Sequence, residues 1–234
     1  MDLPKHISLF SSARISRFIA ALGGDEKKAC ALYKYNIQAA QTIHPLISIL
    51  EVSLRNGIDR ELAKHFQDSN WLLTQRNHFA NNPNLTYTNY RGNILTDHFF
   101  TRKLRRAEEK LLVRGISLTH GKLLAEMTFG FWIKFFDKGP IKILKGAPLQ
   151  AFSVKPKMKL ADVHSHLNAI VVLRNRIAHN EPICFDSCGN ICLDIIKAYE
   201  SKIMDAIGWL DCDLRIWTEK MNFFKPVYMR IASL

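Results

Sequence analysis

The sequence lacks the features of a membrane or secreted protein. Each apolar stretch among its 234 residues is interrupted by charge well before the ~20 residues that a membrane-spanning helix needs. The first residues, MDLPKHISLFSSAR, contain no basic segment followed by an apolar one and a small-residue cleavage site, so we expect no signal peptide. These absences predict a cytoplasmic protein that makes no membrane contact.

Cysteine is scarce and its number is odd. Five cysteines occur, and an odd number in a chain without a secretion signal is not typical of a disulfide framework. Three are evenly spaced in CFDSCGNIC, as Cys184, Cys188 and Cys192. A zinc site usually adds a second, distant pair of ligands, and none is present. We therefore predict a small hairpin or loop here, and neither a metal nor another cofactor.

Motifs of several large enzyme classes are also missing. The sequence has no G-x-x-x-x-G-K-[ST] phosphate loop, no G-x-S-x-G elbow and no H-E-x-x-H pair. The sequence therefore gives no support to a P-loop nucleoside triphosphatase, an α/β-hydrolase or a zincin protease.

Acidic residues are outnumbered by basic ones. Lysine and arginine total 33 against 21 aspartates and glutamates, a formal net charge of +12. Such a balance favours a polyanionic partner, RNA or DNA before a membrane, although a basic protein with solvated charged faces is the alternative. Much of the excess lies in residues 101–114 and 138–159. We expect RNA contacts from the first of these segments, at Arg102, Lys103, Arg105 and Arg106.

Helical periodicity dominates the chain and predicts an all-α helical bundle. A short helix, SSARISRFIAAL, ends at two glycines, and Asp25 caps a longer helix that runs to Pro45, where a kink or a new helix begins. Residues 68–96 and 138–159 are predicted to be irregular excursions, the first with one helical turn, and a further helix should start at Ser117. Its aromatic block FGFWIKFF is predicted to be core, with base stacking as the alternative. We expect one domain over residues 1–210, with residues 211–234 as an aromatic and basic extension packed on it.

One predicted helix, LADVHSHLNAIVVLRNRIAH, contains an arginine where an apolar residue would pack best. At 100° per residue, its apolar residues form a single band centred near Arg174. A narrow polar stripe holds His164, Asn168, Asn175 and His179. Because an unpaired buried cation is costly, Arg174 needs a partner or an open cleft. The members of the band are Leu160, Val163, Leu167, Ile170, Val171, Ile177 and Ala178.

Arg174, Asn175 and, after three more residues, His179 form an R-N-x3-H pattern. It resembles the R-x4-6-H signature of the HEPN superfamily, helical domains that include many ribonucleases. The pattern follows LYKYNIQAAQTIHPLISILEVSLRNGIDREL and MTFGFWIKFF in the order found in bacterial Abi-like (AbiD/AbiF-type) abortive-infection proteins. The similarity spans about residues 8–185 and implies a HEPN-like bundle.

The resemblance implies a metal-independent endoribonuclease in phage defence or a toxin–antitoxin-like system. His179 would move a proton, and imidazole exchanges protons near neutral pH. Arg174 would stabilise the transition-state charge, and Asn175 would orient the imidazole or bind a phosphate oxygen. One chain offers one motif histidine, so a homodimer would bring two together at a composite site. The implied partners are RNA, a second copy and an antitoxin of RNA or protein.

The same residues also permit other roles. Glu51 can pair with Arg174 or with Arg55; Arg55 and Asn56 repeat the L-R-N sequence without the histidine and are interpreted as supporting residues. His179 can be a helix C-cap, and Arg174 a structural ion-pair member. A non-catalytic HEPN-type module that binds RNA or a protein is the alternative function, and a purely structural interaction protein is a third.

Overall fold

The computed structural model describes residues 9–234, and helices dominate this range. Its secondary structure confirms the all-α class, with one small sheet of two strands. The elements in chain order are α1 Ser12–Ala21, α2 Glu26–Phe66, α3 Trp71–Thr74, β1 Thr86–Thr88, β2 Ile94–Thr96, α4 Phe99–Val113, α5 His120–Glu126, α6 Phe129–Ile133, α7 Lys138–Ile143, α8 Leu160–Ala178, α9 Leu193–Leu210, α10 Cys212–Glu219 and α11 Phe224–Ala232.

The chain divides into two compact units. Of the described residues, the first contains 9–50, 169–208 and 212–234, and the second contains 51–168 and 209–211. Helices α2, α8 and α9 therefore contribute residues to both. The division of the chain into a domain over 1–210 and an extension over 211–234 stays a prediction. The expectation of no signal peptide concerns the start of the chain, of which residues 1–8 lie outside the described range.

The first two helices follow their capping signals. Gly23 and Gly24, with φ of 61° and 91°, provide the left-handed backbone that ends α1, where a Cβ would be unfavourable. The Asp25 carboxylate then accepts the backbone N–H of Lys28 at 3.0 Å, which caps α2 as predicted. Pro45, however, lies inside one continuous helix. Its missing N–H removes the helical donor for the Gln41 carbonyl, yet the buried residues on either side keep the helix in one piece.

Aromatic side chains form the core of the second unit. Phe100 and Phe135 have ring centroids 4.7 Å apart, Phe79 stacks on Phe135 at 5.8 Å, and Trp132 is fully buried. The core prediction for FGFWIKFF is therefore confirmed. The prediction of a single helix from Ser117 was wrong. The backbone is extended at Met127, so the segment forms two helices, α5 and α6.

Both predicted excursions contain more regular structure than expected. Residues 68–96 include α3 and a hairpin in which Tyr87 pairs with Leu95; both strands are exposed, so no buried face revealed them in the sequence. Residues 138–159 include α7, which places Ile141 in the core. The last 24 residues, in which the sequence predicted no helix, form α10 and α11. None of the helices in residues 9–234 combines the length and apolarity required to cross a bilayer.

A charged network joins three segments of the second unit. Lys134 Nζ lies 2.8 Å from Asp97 Oδ2 and 2.6 Å from Asp137 Oδ2, and His164 Nε2 lies 2.9 Å from Asp137 Oδ1. Burial alone would raise the pKa of Asp137, but hydrogen bonds and charge from His164 and Lys134 lower it below the ordinary 3.8. His164, which the predicted helix places on its polar stripe, is half-buried and belongs to this network.

We expect Asp137→Asn to lower the free energy of unfolding by about 2 kcal/mol at neutral pH, because it removes two charge-assisted hydrogen bonds. A carboxylate with a depressed folded-state pKa stabilises the fold above its unfolded pKa, and this contribution is lost as pH falls through the folded value. Urea unfolding should therefore separate wild type and variant at pH 7, with the difference shrinking below about pH 4.

Asp162→Asn is the matched control, since Asp162 is exposed in the same unit and the charge change is identical. An equal loss in both variants, or a difference that grows on acidification, would contradict the assignment.

Candidate functional site

The predicted motif lies where α8 ends in the first unit. Arg174 is half-buried and Asn175 is exposed in the last turns of the helix, and the exposed His179 follows directly after its last residue. The backbone N–H of His179 donates to the Asn175 carbonyl at 3.0 Å, so the chain keeps its helical path up to the imidazole. The structure therefore brings the three motif residues together at one helix end.

A left-handed cap terminates the chain's helical path immediately after His179. Asn180 has φ of 53°, a conformation that asparagine tolerates better than most residues. Its N–H donates to the Ile177 carbonyl at 3.0 Å, and the N–H of Glu181 donates to the Arg176 carbonyl at 2.8 Å. These two bonds form a Schellman motif. His179 therefore occupies the C-cap position, and the cap fixes its backbone; whether its side chain has a capping or a catalytic role stays a prediction.

Arginine side chains hold the segment that follows. Arg14 Nη1 donates to the Asn180 carbonyl at 3.0 Å. Arg176 donates through Nη2 to the Pro182 carbonyl, and its Nε lies 3.7 Å from the Glu181 carboxylate. Arg176 therefore serves the local fold. Arg14 lies far from the motif in sequence, and no pattern in the sequence indicated its role.

A buried amide fixes the same segment from α2. Asn36 is only 5% exposed, and its Oδ1 accepts the backbone N–H of the fully buried Ile183 at 2.8 Å. A buried N–H without a partner would destabilise the fold. Asn36 thus provides the hydrogen-bond acceptor for the backbone N–H of Ile183, the first buried residue after the cap.

Beyond Ile183 the chain forms the predicted hairpin. Phe185 pairs with Ile191 in an antiparallel bridge, and the Cys192 N–H donates to the Cys184 carbonyl at 2.9 Å. Burial raises the pKa of the Cys184 thiol to about 12, which keeps it neutral at physiological pH. In residues 9–234 no group of three or more His, Cys, Asp or Glu side chains is arranged to hold a metal ion.

The apolar face of α8 is rotated relative to the predicted band. Leu173, which the band omitted, is fully buried, whereas Ala178 is exposed. The side chain before Arg174 thus fills the apolar position, and Arg174 lies half-buried beside it. The other fully or almost fully buried residues of this face are Val163, Leu167 and Ile170.

The predicted supporting residues belong to the second unit. Glu51 and Arg55 are half-buried on α2 and Asn56 is exposed; Arg55 Nε donates to Asn56 Oδ1 at 3.2 Å. Their cooperation with the motif, and the pairing of Glu51 with Arg174, stay predictions.

The predicted RNA-binding arginines also lie in the second unit, on α4. Arg102, Arg105 and Arg106 are exposed, and Arg105 pairs with Glu109 at 3.0 Å. Lys103 is half-buried, with its Nζ 5.6 Å from the Phe99 ring centroid. The helix therefore offers exposed cations, and their contact with RNA stays a prediction.

A cavity of about 610 Å³ opens beside the cap in the first unit. Its residues were missed in the sequence, although several recur at helical spacing within LYKYNIQAAQTIHP. That spacing was the available signal, but it does not distinguish a cavity wall from an ordinary exposed face.

Comparison with known proteins identifies one relationship. A family model described as Abi-like protein matches residues 7–184, which include the motif and most of both units. Comparisons with curated proteins and with solved structures gave no match. The family points to abortive infection, a bacterial defence against phage.

Asn36→Leu tests how strongly the folded position of the segment after α8 depends on the side-chain amide of Asn36. The variant leaves the Ile183 N–H buried without a partner, and we expect the free energy of unfolding to fall by about 1–3 kcal/mol. Hydrogen exchange of the Ile183 amide should accelerate in parallel. Lys34→Leu, at an exposed position of the same helix, should change neither quantity by a comparable amount. Unchanged exchange in Asn36→Leu would show that the segment is held without Asn36.

Proposed function

This chain belongs to the Abi-like family, and from that premise we propose that it is a metal-independent endoribonuclease acting in abortive infection. The observation that carries the proposal is the exposed His179 at a fixed helix end, with Arg174 and Asn175 in the preceding turns. An imidazole can carry out the proton transfers of phosphodiester cleavage by a neighbouring hydroxyl, and a permanent cation can stabilise the charge that develops on the phosphoryl oxygens.

The proposed reaction needs no nucleophile from the protein. The 2′-oxygen of the RNA attacks the adjacent phosphorus while the bond from phosphorus to the 5′-oxygen breaks, giving a 2′,3′-cyclic phosphate and a free 5′-hydroxyl. One imidazole takes the 2′ proton and another gives a proton to the leaving oxygen. Arg174 stabilises the negative charge that accumulates on the phosphoryl oxygens, since a guanidinium remains ionised and donates two parallel hydrogen bonds. Asn175 orients the imidazole or binds a phosphoryl oxygen.

Two proton transfers call for two histidines, which a symmetric dimer supplies. A twofold axis brings the same surface of both copies together, so that His179 and His179 of the partner subunit act as base and acid. This arrangement also gives Arg174 an anionic environment from the bound phosphate. The HEPN superfamily assignment, the toxin role and the control by an antitoxin belong to the same proposal.

Substitution of His179 tests the chemistry directly. Purified wild type in EDTA should cut a broad RNA pool and leave 2′,3′-cyclic phosphate ends, and His179→Ala should lose at least about 100-fold in rate, the usual contribution of a proton-transferring group. His98→Ala is the matched control, because His98 is likewise an exposed histidine at a helix end, without a side-chain capping bond. Its rate should equal that of wild type.

Three outcomes would contradict parts of this reading. Cleavage that persists in His179→Ala assigns the chemistry to another residue. Cleavage that EDTA abolishes contradicts metal independence. Wild type that binds the pool without cutting it, with equal affinity in His179→Ala, supports the binding module instead.

The composite site predicts that cleavage depends on dimer formation. The rate per chain should fall with dilution in proportion to the dimer fraction, which light scattering measures over the same concentration range. A constant rate per chain while the mass changes from dimer to monomer would contradict a shared site.

One observation favours the second candidate, an RNA-binding module without activity. Helix α4 exposes Arg102 and Arg106, and such cations attract the phosphate backbone without any need for catalysis. Replacing both with glutamine should weaken RNA binding under either function, whereas only the ribonuclease predicts that His179 controls the products.

A further inference from the structure

The cavity beside the cap has one wall made by a single face of α2. Tyr33, Asn36, Ala40, Gln41 and His44 line it and recur every three or four positions, as residues on one side of a helix do. The opposite walls come from the start of the described chain and from the cap that follows His179. Its volume of about 610 Å³ lies within the ~300–1,000 Å³ typical of small-ligand sites.

Apolar and aromatic groups provide the flat surfaces of this cavity. Tyr33 and Phe10 both line it, and their ring centroids are 5.3 Å apart at a tilt of 58°. Ile37 and Ile177 add aliphatic surface. Walls of this kind accept a planar, weakly polar ring, because such a ring gains dispersion contacts and stacking without losing much hydration.

Hydrogen-bonding groups lie among these apolar walls. The Oδ1 of Asn36 is occupied by the Ile183 N–H, so its amide nitrogen is the group that it can offer to a ligand. Gln41 adds a second side-chain amide. The cavity therefore combines donors and acceptors with aromatic surface.

Two side chains of opposite formal charge, Arg14 and Glu181, line the cavity. Arg14 lines the cavity while one of its nitrogens holds the Asn180 carbonyl, and the exposed His44 lies on the α2 side. Glu181 is the single acidic residue in the lining. A ligand that carries a planar polar ring and an attached anion can stack the ring on the aromatic wall and place the anion beside the Arg14 guanidinium. A purely aliphatic ligand would leave the polar groups of the cavity unused.

We propose that this cavity binds one unstacked nucleobase of the RNA whose backbone lies at His179, and that it sets the base preference of cleavage. The proposal rests on the proposed function for the position of the RNA. Asn180, which lines the cavity, is joined to His179 by a single peptide bond, so a base in the cavity and a phosphate at the imidazole can belong to adjacent nucleotides. Proteins that recognise RNA by sequence commonly stack a splayed base on an aromatic ring and hydrogen-bond its edge.

Filling the cavity tests this inference. Ala40→Phe places a ring inside it, whereas Ala31→Phe, nine positions earlier on α2, adds the same ring on the opposite side of the helix. Four tetranucleotides of 2′-O-methyl A, C, G and U are the probes, with affinity read by fluorescence anisotropy. We expect wild type and Ala31→Phe to prefer one of them by about tenfold, and Ala40→Phe to bind all four alike.

A second variant protects the test against misfolding. Gln41 is exposed, so Gln41→Met removes the amide with little effect on the fold, and we expect it to reduce the preference about fivefold. Absence of any preference in wild type would overturn the inference, as would a preference that survives in Ala40→Phe.

The probes also separate this inference from the ribonuclease proposal. RNA methylated at the 2′-oxygen cannot be cut by 2′-hydroxyl attack, so its binding is independent of catalysis. If wild type and Ala40→Phe cut ordinary RNA with the same base preference, the role of the cavity is overturned and the ribonuclease proposal stands. If Ala40→Phe removes the base preference but wild type cuts no RNA, the base site is supported and the ribonuclease proposal is overturned.

Discussion

The hydrogen bond from the Ile183 N–H to Asn36 Oδ1, at 2.8 Å, constrains the whole region around the motif. After α8 the chain leaves a helix end, turns through a left-handed residue and buries its backbone within a few positions. Burial of that backbone is favourable only if its polar groups find partners. Asn36 supplies the partner from α2, and the end of α8 is thereby fixed against that helix within the first unit.

The arginines around this region bind neutral carbonyls in addition to carboxylates. Arg14 donates to the carbonyl of Asn180 and Arg17 to that of Asp186, at 3.0 and 3.2 Å. A carbonyl orders the guanidinium without cancelling its charge. Beside the helix end that bears His179, Arg14 therefore keeps its positive charge in a fixed position. Preorganised charge of this sign favours an anionic transition state without the cost of reorganisation.

Features that depend on residues close together in the sequence could be predicted from the sequence. The glycines after α1, the Asp25 cap, the core block FGFWIKFF and the helix that carries Arg174 all follow from local patterns. Long-range contacts could not be predicted: the partner of Ile183 lies 147 positions away, and the continuity of α2 through Pro45 depends on tertiary burial. The sequence also could not show that Leu173, and not Arg174, takes the fully buried position. A helical pattern fixes the apolar face only to within one residue, and tertiary packing decides the rest.

One structural element connects the motif to the cavity. The cap that holds His179 at the end of α8 continues through Asn180, Glu181 and Pro182, and all three line the cavity. The geometry that presents the imidazole is therefore the geometry that shapes the neighbouring wall. A cap built on glycine could form the same turn, but it would offer no amide side chain there. Within the first unit, the left-handed residue thus contributes to both the candidate reaction centre and its neighbouring surface.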